Sequence, residues 1–216
     1  MKDDSLTLAV EGTRFFGEIC ASISHEIKNT LAIINENAGL LQDMLQMNAK
    51  GLPLSPERLS GLSQSIARQV ARGDRIVGAM NRFAHSADKP SETVDVDAVI
   101  RFIVDLAARL IIMRKAVVQI EAPPRPVTIV THRFFLENLV WGCLCRAMDA
   151  CAPGQPVRIF IQKMEKSVQI GFGGLARDCL AAGVPFPSPR EKQVADFLGA
   201  QLRVDQKQGQ INLNLP

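Results

Sequence analysis

The sequence predicts an α+β protein, in which a long helical hairpin is followed by an α/β sandwich domain. Apolar residues recur at helical spacing up to about residue 88. The polar stretch "HSADKPSETVD" then interrupts the pattern, and short strand-like and helix-like segments alternate after it. We therefore expect two domains, residues 1–88 and 89–216.

The first helix carries an apolar stripe typical of a coiled coil. Its members are Phe16, Cys20, Ile23, Ile27, Leu31, Ile34, Ala38, Leu41 and Leu45. "NAKGLPLSPE" supplies a Gly and two Pro that end this helix and allow a second one to start. The second helix has a similar stripe, formed by Leu59, Leu62, Ile66, Val70, Ile76, Met80 and Phe83. The two helices are expected to be about 35 and 30 residues long.

A lone hairpin cannot enclose two apolar stripes. The simplest solution is a homodimer in which two hairpins form a four-helix bundle. The alternative is that both stripes pack against the rest of the same chain.

The second region reads as helices on one face of a mixed sheet. "DVDAVIRFIVDLAARLIIMRK" is an amphipathic helix, and "AVVQIEA" and "PVTIV" are short strands. After the helix "HRFFLENLVWGCLCRAMDAC", the segments "PVRIFIQKME" and "KSVQIGFGG" form a strand pair. A helix in "PREKQVADFLGA" and a terminal hairpin turning near Gly209 complete the domain.

The composition excludes several classes of function. The 25 basic and 22 acidic residues nearly balance, and aromatic residues are scarce, so nucleic acid is not an expected partner. No apolar run has the length of a signal peptide or a membrane span, which favours the cytoplasm. The five cysteines read as reduced thiols. The spacing of Cys143, Cys145 and Cys151 fits no usual zinc pattern, so no metal site is expected.

The motif "SISHEIKNTLAIINENAGLL" contains the candidate catalytic residues. His25 lies off the apolar stripe, so its ring should project outward, where neutral imidazole is a good nucleophile. Glu26 follows directly and could hydrogen-bond the imidazole or accept its proton. Asn29 lies one turn along the same face. The alternative is that His25 is an exposed helix histidine without a functional role. His85 reads as a helix cap and His132 as structural.

"SHEIKNTLAII" resembles the phospho-accepting motif of two-component histidine kinases, and the later elements resemble the order of their ATP-binding domain. "ENLVWGCLCRAMDAC" falls where that family carries a nucleotide-binding Asn, and "FLGAQLRVDQKQGQINLNLP" resembles its closing helix and hairpin. The resemblance implies that His25 accepts a phosphoryl group. It also implies that Glu26 and Asn29 assist transfer and orient water for dephosphorylating a partner aspartate.

Three positions depart from the family's nucleotide site. Arg146 replaces the Asn that holds Mg²⁺, and a guanidinium offers only hydrogen-bond donors. In "QIGFGGLARD" a glycine replaces the adenine-reading Asp, and in "PFPSPREKQVADF" three prolines replace the glycines of a phosphate-binding turn. We therefore expect a degenerate ATPase-like domain that does not bind ATP usefully, with no cofactor of its own.

The expected function is a two-component phosphorelay protein, a histidine phosphotransferase that passes phosphoryl groups between His25 and receiver aspartates. The partner is a response-regulator receiver domain, which supplies its own Mg²⁺, and receiver phosphatase activity is a related possibility. One alternative is an active soluble histidine kinase with a divergent ATP site. Another is a non-catalytic dimeric scaffold that sequesters a response regulator.

Overall fold

The computed structural model describes residues 2–152, 154–181 and 185–216. Contacts divide the chain into two compact units. The hairpin unit is Glu18–His85, and the sheet unit combines Met1–Gly17 with Ser86–Pro216. This division assigns the start of the first helix to the sheet unit, whereas the boundary after residue 88 stays a prediction.

The hairpin consists of α1 (Lys2–Ala49) and α2 (Pro56–His85). With 48 residues, α1 is longer than the 35 expected, because the helix begins at the very start of the described chain. Gly51 follows the end of α1 and has a φ of 90°, a backbone conformation in which residues other than glycine are strained. Ser55 starts α2, since its Oγ accepts a hydrogen bond from the backbone N–H of Arg58 at 3.3 Å.

Only part of the predicted α1 stripe is covered within this chain. Ile23 is buried, but Phe16, Leu31 and Leu45 are exposed. The buried side of α1 instead includes Thr30, which sequence periodicity did not select. The inward face of α1 is therefore rotated away from the stripe that its sequence suggests.

The N-terminal part of α1 packs within the sheet unit. The ring of Phe15 is fully buried and lies 5.4 Å from Phe134 and 6.3 Å from Trp141, measured between ring centroids. Glu11 pairs with Arg190 at 2.9 Å. The first four turns of α1 thus add to the core of the sheet unit rather than to that of the hairpin.

The sheet unit contains the predicted mixed sheet with helices on one face. Its remaining elements are β1 (Glu92–Asp95), α3 (Val96–Leu106), α4 (Ala108–Met113), β2 (Val118–Glu121), β3 (Thr128–Thr131), α5 (Arg133–Asp149), β4 (Val157–Lys163), β5 (Val168–Gly173), α6 (Arg177–Ala181), α7 (Pro189–Phe197), β6 (Gln201–Asp205) and β7 (Gln210–Leu215). Five strands form one sheet in the order β2-β4-β5-β7-β6, with β2 parallel to β4 and the other neighbours antiparallel. Along β4, Val157, Ile159 and Ile161 are buried, whereas Arg158 and Gln162 are exposed.

Two expectations for this unit were wrong. The end of the expected linker is the strand β1, which pairs antiparallel with β3 in a separate two-stranded sheet. Asp95 ends β1 and caps α3, because its Oδ1 accepts from the N–H groups of Asp97 and Ala98. The single helix expected after it is divided at Ala107 into α3 and α4. Short helix α6 was not expected at all.

Candidate functional site

His25 lies on α1 in the hairpin unit and its side chain is exposed. Two neighbours on the helix face inward instead: Ile23 is buried, and Thr30 is buried with its Oγ1 bonded to the carbonyl oxygen of Glu26 at 2.9 Å. The imidazole makes no hydrogen bond or ion pair within the described part of the chain. An incoming group can therefore approach the ring from solvent.

Glu26 points toward α2, where Arg72 binds it. The guanidinium Nη2 lies 2.7 Å from Glu26 Oε2, and the carboxylate side chain is only 23% exposed. Residues adjacent on a helix do not face each other, so Glu26 bonds across the hairpin and not to His25. The ion pair fixes the carboxylate beside the imidazole-bearing turn and leaves Oε1 without a partner among the described residues.

Arg72 is a site residue that sequence reasoning missed. No motif marks it within "RQVARGDR". Its partner lies 46 positions earlier in the chain, and the register of the two helices decides which pair meets. Only the packing of the two helices identifies it.

Asn29 is exposed one turn beyond His25 on the same side of α1. Its amide makes no hydrogen bond within the described residues. The site thus brings together an open imidazole, an oriented carboxylate and an open amide. These groups can receive a phosphoryl group and position a water molecule, but they include no cluster of metal ligands.

In the sheet unit, the position of the family's Mg²⁺-holding Asn is occupied by a structural arginine. Arg146 lies in the last turn of α5. Its Nη2 lies 3.0 Å from the carbonyl oxygen of Cys179 and 3.3 Å from that of Leu180, both in α6. The guanidinium therefore binds carbonyl groups of the chain where the family places a metal ligand.

Gly171, the first glycine of "GFGG", lies on β5 opposite Phe160 of β4. A Cβ atom added at Gly171 would overlap the Phe160 ring. Glycine is thus required here by a cross-strand aromatic side chain that covers it.

The start of α7 is capped by the carboxylate of Glu191, a residue of the same helix. The backbone N–H of Ser188 donates to Glu191 Oε2 at 2.9 Å, and the Ser188 hydroxyl donates to the same oxygen. Pro189, which has no N–H, begins the helix. The start of α7 thus carries the negative charge of Glu191 and lacks an N–H group at Pro189, whereas phosphate binding would need free N–H groups there.

The other histidines and the cysteines lie outside this constellation. His85 is exposed in the last turn of α2. His132 contacts the rings of Phe135 and Phe197, at 4.8 and 5.9 Å between centroids, and partial burial lowers its pKa. Burial raises the pKa of Cys143, which is inaccessible inside α5. The packing of His132 and Cys143 agrees with structural roles.

Neither a cluster of metal ligands nor a membrane-spanning helix is found among the described residues. Within the residues that the structure describes, no three His, Cys, Asp or Glu side chains approach closely enough to hold a metal ion. None of the described helices is both long and apolar enough to cross a membrane.

Comparison with known proteins gives only distant structural likeness. No protein-family model and no curated protein matches the chain. Among solved structures, the chain is similar to histidine kinase ThkA, solved in complex with the response regulator TrrA, with 17% identity, a TM-score of 0.47, and coverage of 94% of this chain and 62% of that one. It is also similar to histidine kinase AdeS of Acinetobacter baumannii (16% identity, TM-score 0.45, 83% and 94% covered) and to a histidine kinase from Burkholderia phymatum STM815 (13%, 0.44, 89% and 95%). Sequence identities and TM-scores this low indicate a likeness of fold only.

Proposed function

We propose that this protein is a two-component phosphorelay component, a histidine phosphotransferase that passes phosphoryl groups between His25 and receiver aspartates without binding ATP. The observation that carries the proposal is an exposed, unpaired imidazole in a phospho-acceptor-like motif, flanked by the Glu26–Arg72 ion pair. Two positions that resemble the family's nucleotide site support the absence of ATP binding, because Arg146 binds carbonyl groups of the chain and Glu191 caps the start of α7.

The transfer needs little from the protein beyond position. A ring nitrogen of His25 attacks the phosphorus of an aspartyl phosphate in line with the bond to the carboxylate. A P–N bond forms as that P–O bond breaks, and the aspartate leaves as a carboxylate. The other ring nitrogen of the exposed imidazole loses its proton to water, because Arg72 holds the Glu26 carboxylate across the hairpin. The Mg²⁺ that screens the phosphoryl charge belongs to the receiver.

The absence of nucleotide binding is the first prediction that tests this proposal. After incubation with Mg²⁺ and γ-labelled ATP, the protein should carry no acid-labile label, and ATP should not raise its melting temperature. Among the described residues, Arg146 takes the place of the metal ligand, and Glu191 accepts a hydrogen bond from the Ser188 N–H at the start of α7. The same protein should acquire label from a receiver domain loaded with labelled acetyl phosphate.

Label acquired from ATP, and lost in a His25→Ala variant, would instead identify an active kinase with an unusual nucleotide site. A folded protein that takes label from neither ATP nor any receiver would favour the scaffold.

The five cysteines form no disulfide in the described residues, which supports a cytoplasmic protein.

We further propose that the protein is a homodimer joined through one side of the hairpin, here called the Leu31 face: Leu31, Ala38 and Leu45 of α1 with Ile66, Val70 and Val77 of α2. The side chains of Leu31, Val70 and Val77 are 58%, 49% and 47% exposed. Val70 and Val77 flank Gly73, which lies against Thr30, the neighbour of Leu31. The two exposed stripes therefore border each other.

The same side of the hairpin holds an apolar groove of about 310 Å³, lined by Leu41, Leu59, Leu62, Ser63 and Ile66. Side chains from a second hairpin would fill this groove and cover the Leu31 face. Burial of a leucine is worth roughly 2 kcal/mol, so several such contacts can hold two hairpins together. The resulting assembly is a four-helix bundle.

The dimer prediction can be tested with two leucines of α1. Leu31→Asp should raise the dimer dissociation constant by about 100-fold or more, because a charge would be buried at the contact. Leu40→Asp is the matched control, since Leu40 is 48% exposed but lies on the opposite side of α1. Analytical ultracentrifugation over a concentration series measures both. Equal dissociation of both variants, or a monomeric wild type, would contradict the proposed interface.

A further inference from the structure

A row of arginines runs along α2 in the hairpin unit. Arg68, Arg72, Arg75 and Arg82 follow each other at intervals of four, three and seven residues, a spacing that keeps all of them on one side of a helix. Arg68 and Arg75 are exposed, and neither has a hydrogen bond or ion pair among the described residues. We call Arg68, Arg72 and Arg75 the arginine row.

The arginine row lies on the side of the hairpin that carries His25. Arg72 bonds to Glu26, which is the residue after His25. The helices are antiparallel, so Arg75 lies one turn from Arg72 toward the start of α1, and Arg68 lies one turn away in the other direction, level with Asn29. The Leu31 face is on the other side, as the contact of Gly73 with Thr30 indicates.

Two acidic residues besides Glu26 lie close to the arginine row. Glu18 is two turns before His25 on the same side of α1, and Asp74 precedes Arg75 but projects from a different side of α2. Glu26 is already paired with Arg72 at 2.7 Å. Glu36 and Asp43 of α1 lie about three and five turns from His25, toward the tip of the hairpin. Lys28 is exposed and adds a further positive charge near the imidazole. The four basic side chains near His25 (Arg68, Arg72, Arg75 and Lys28) therefore outnumber the acidic ones by one, and the exposed guanidinium groups of Arg68 and Arg75 are available to a partner.

We propose that the arginine row is the docking surface for the acidic rim of a receiver domain. The proposal rests on the proposed phosphotransfer function. A receiver brings a phosphorylated aspartate and the carboxylates that bind its Mg²⁺, and carboxylates are what a guanidinium pairs with. Arg68 and Arg75 would pair with this rim on either side of the imidazole, while Arg72 keeps Glu26 in place.

Charge complementarity of this kind acts mainly on the rate of encounter. Steering by exposed charges raises association rates at low salt and is screened as salt is added. The arginine row should therefore govern how fast, and with which receivers, His25 exchanges its phosphoryl group. It should not affect the chemical reactivity of the imidazole.

The test compares two double variants with equal net charge. Arg68→Glu/Arg75→Glu reverses the row, and Lys50→Glu/Arg58→Glu makes the same change at exposed positions near the hairpin tip. The probes are the purified receiver domains of the source organism, loaded with labelled acetyl phosphate and freed of excess donor. Receiver binding and the kcat/KM of transfer to His25 are measured at low and high salt, and phosphoramidate measures the intrinsic reactivity of His25.

Reversal of the row should lower kcat/KM by about 10-fold or more at low salt and remove most of its salt dependence. The tip variant should stay within about twofold of the wild type, and phosphoramidate should label all three proteins equally. Transfer that is unchanged by row reversal would overturn this inference but leave the proposed function standing. If no receiver binds or labels the wild type, although phosphoramidate does, the proposed function fails and the docking surface fails with it.

Discussion

Replacing His25 with glutamine is expected to abolish phosphoryl transfer while the hairpin stays folded. The chain's other two histidines lie in the last turn of α2 and at the N-cap of α5, so the rate of labelling by a loaded receiver should fall by at least about 1,000-fold. His25 is exposed and makes no contact that glutamine would lose. The free energy of unfolding should therefore change by less than about 0.5 kcal/mol.

His85→Gln is the matched control, because His85 is also an exposed histidine of the hairpin but lies in the last turn of α2. It should accept label at the wild-type rate. The label on the wild type should be stable to base and labile to acid, as a P–N bond is. Transfer that persists in His25→Gln would remove the proposed function, and unchanged regulation of a partner by that variant would establish the scaffold.

The second large effect is expected at Gly174, just after β5. Its φ is 84°, and a Cβ atom there would overlap the carbonyl oxygen of Pro156. Because the obstacle is backbone rather than a movable side chain, Gly174→Ala should lower the free energy of unfolding by about 3 kcal/mol or more. Urea unfolding followed by circular dichroism measures the change.

Gly173→Ala provides a control at the neighbouring residue. A Cβ atom at Gly173 would meet only Gln210 and Phe160, at 3.7 and 3.8 Å, which is ordinary contact. Alanine also lowers the backbone entropy of the unfolded chain, so this variant should lie within about 1 kcal/mol of the wild type. Equal losses in both variants would show that the close approach of Pro156 to Gly174 does not determine stability.

The exposed position of His25 was predictable from the sequence because it depends on local order. The spacing of the apolar residues in α1 places His25 outside the apolar stripe, and in the structure its side chain is exposed. The same local reasoning did not show what covers the α1 stripe, since Leu31 and Leu45 are exposed in this chain. Periodicity shows that a face is apolar, but it does not show which partner covers it.

The strands show a similar limit. "ETVD" is too short and too polar to predict as a strand, yet β1 forms because β3 pairs with it residue by residue from Glu92 to Asp95. Likewise, β2 and β3 were recognised as strands, but β2 joins β4 in the large sheet and β3 joins β1. Strand partners are chosen by long-range contacts that no short window of sequence contains.

The sequence by itself determined the fold class, a helical hairpin followed by a mixed sheet with helices, and the position of His25 and Asn29 on one helix face. Each of these follows from residue types at short spacing. Only the tertiary structure decided that Arg72 binds Glu26, that the Phe160 ring covers Gly171, and that Arg146 binds the carbonyl groups of α6. These contacts join residues far apart in the chain, and the register of helices and strands, which the whole fold sets, brings them together.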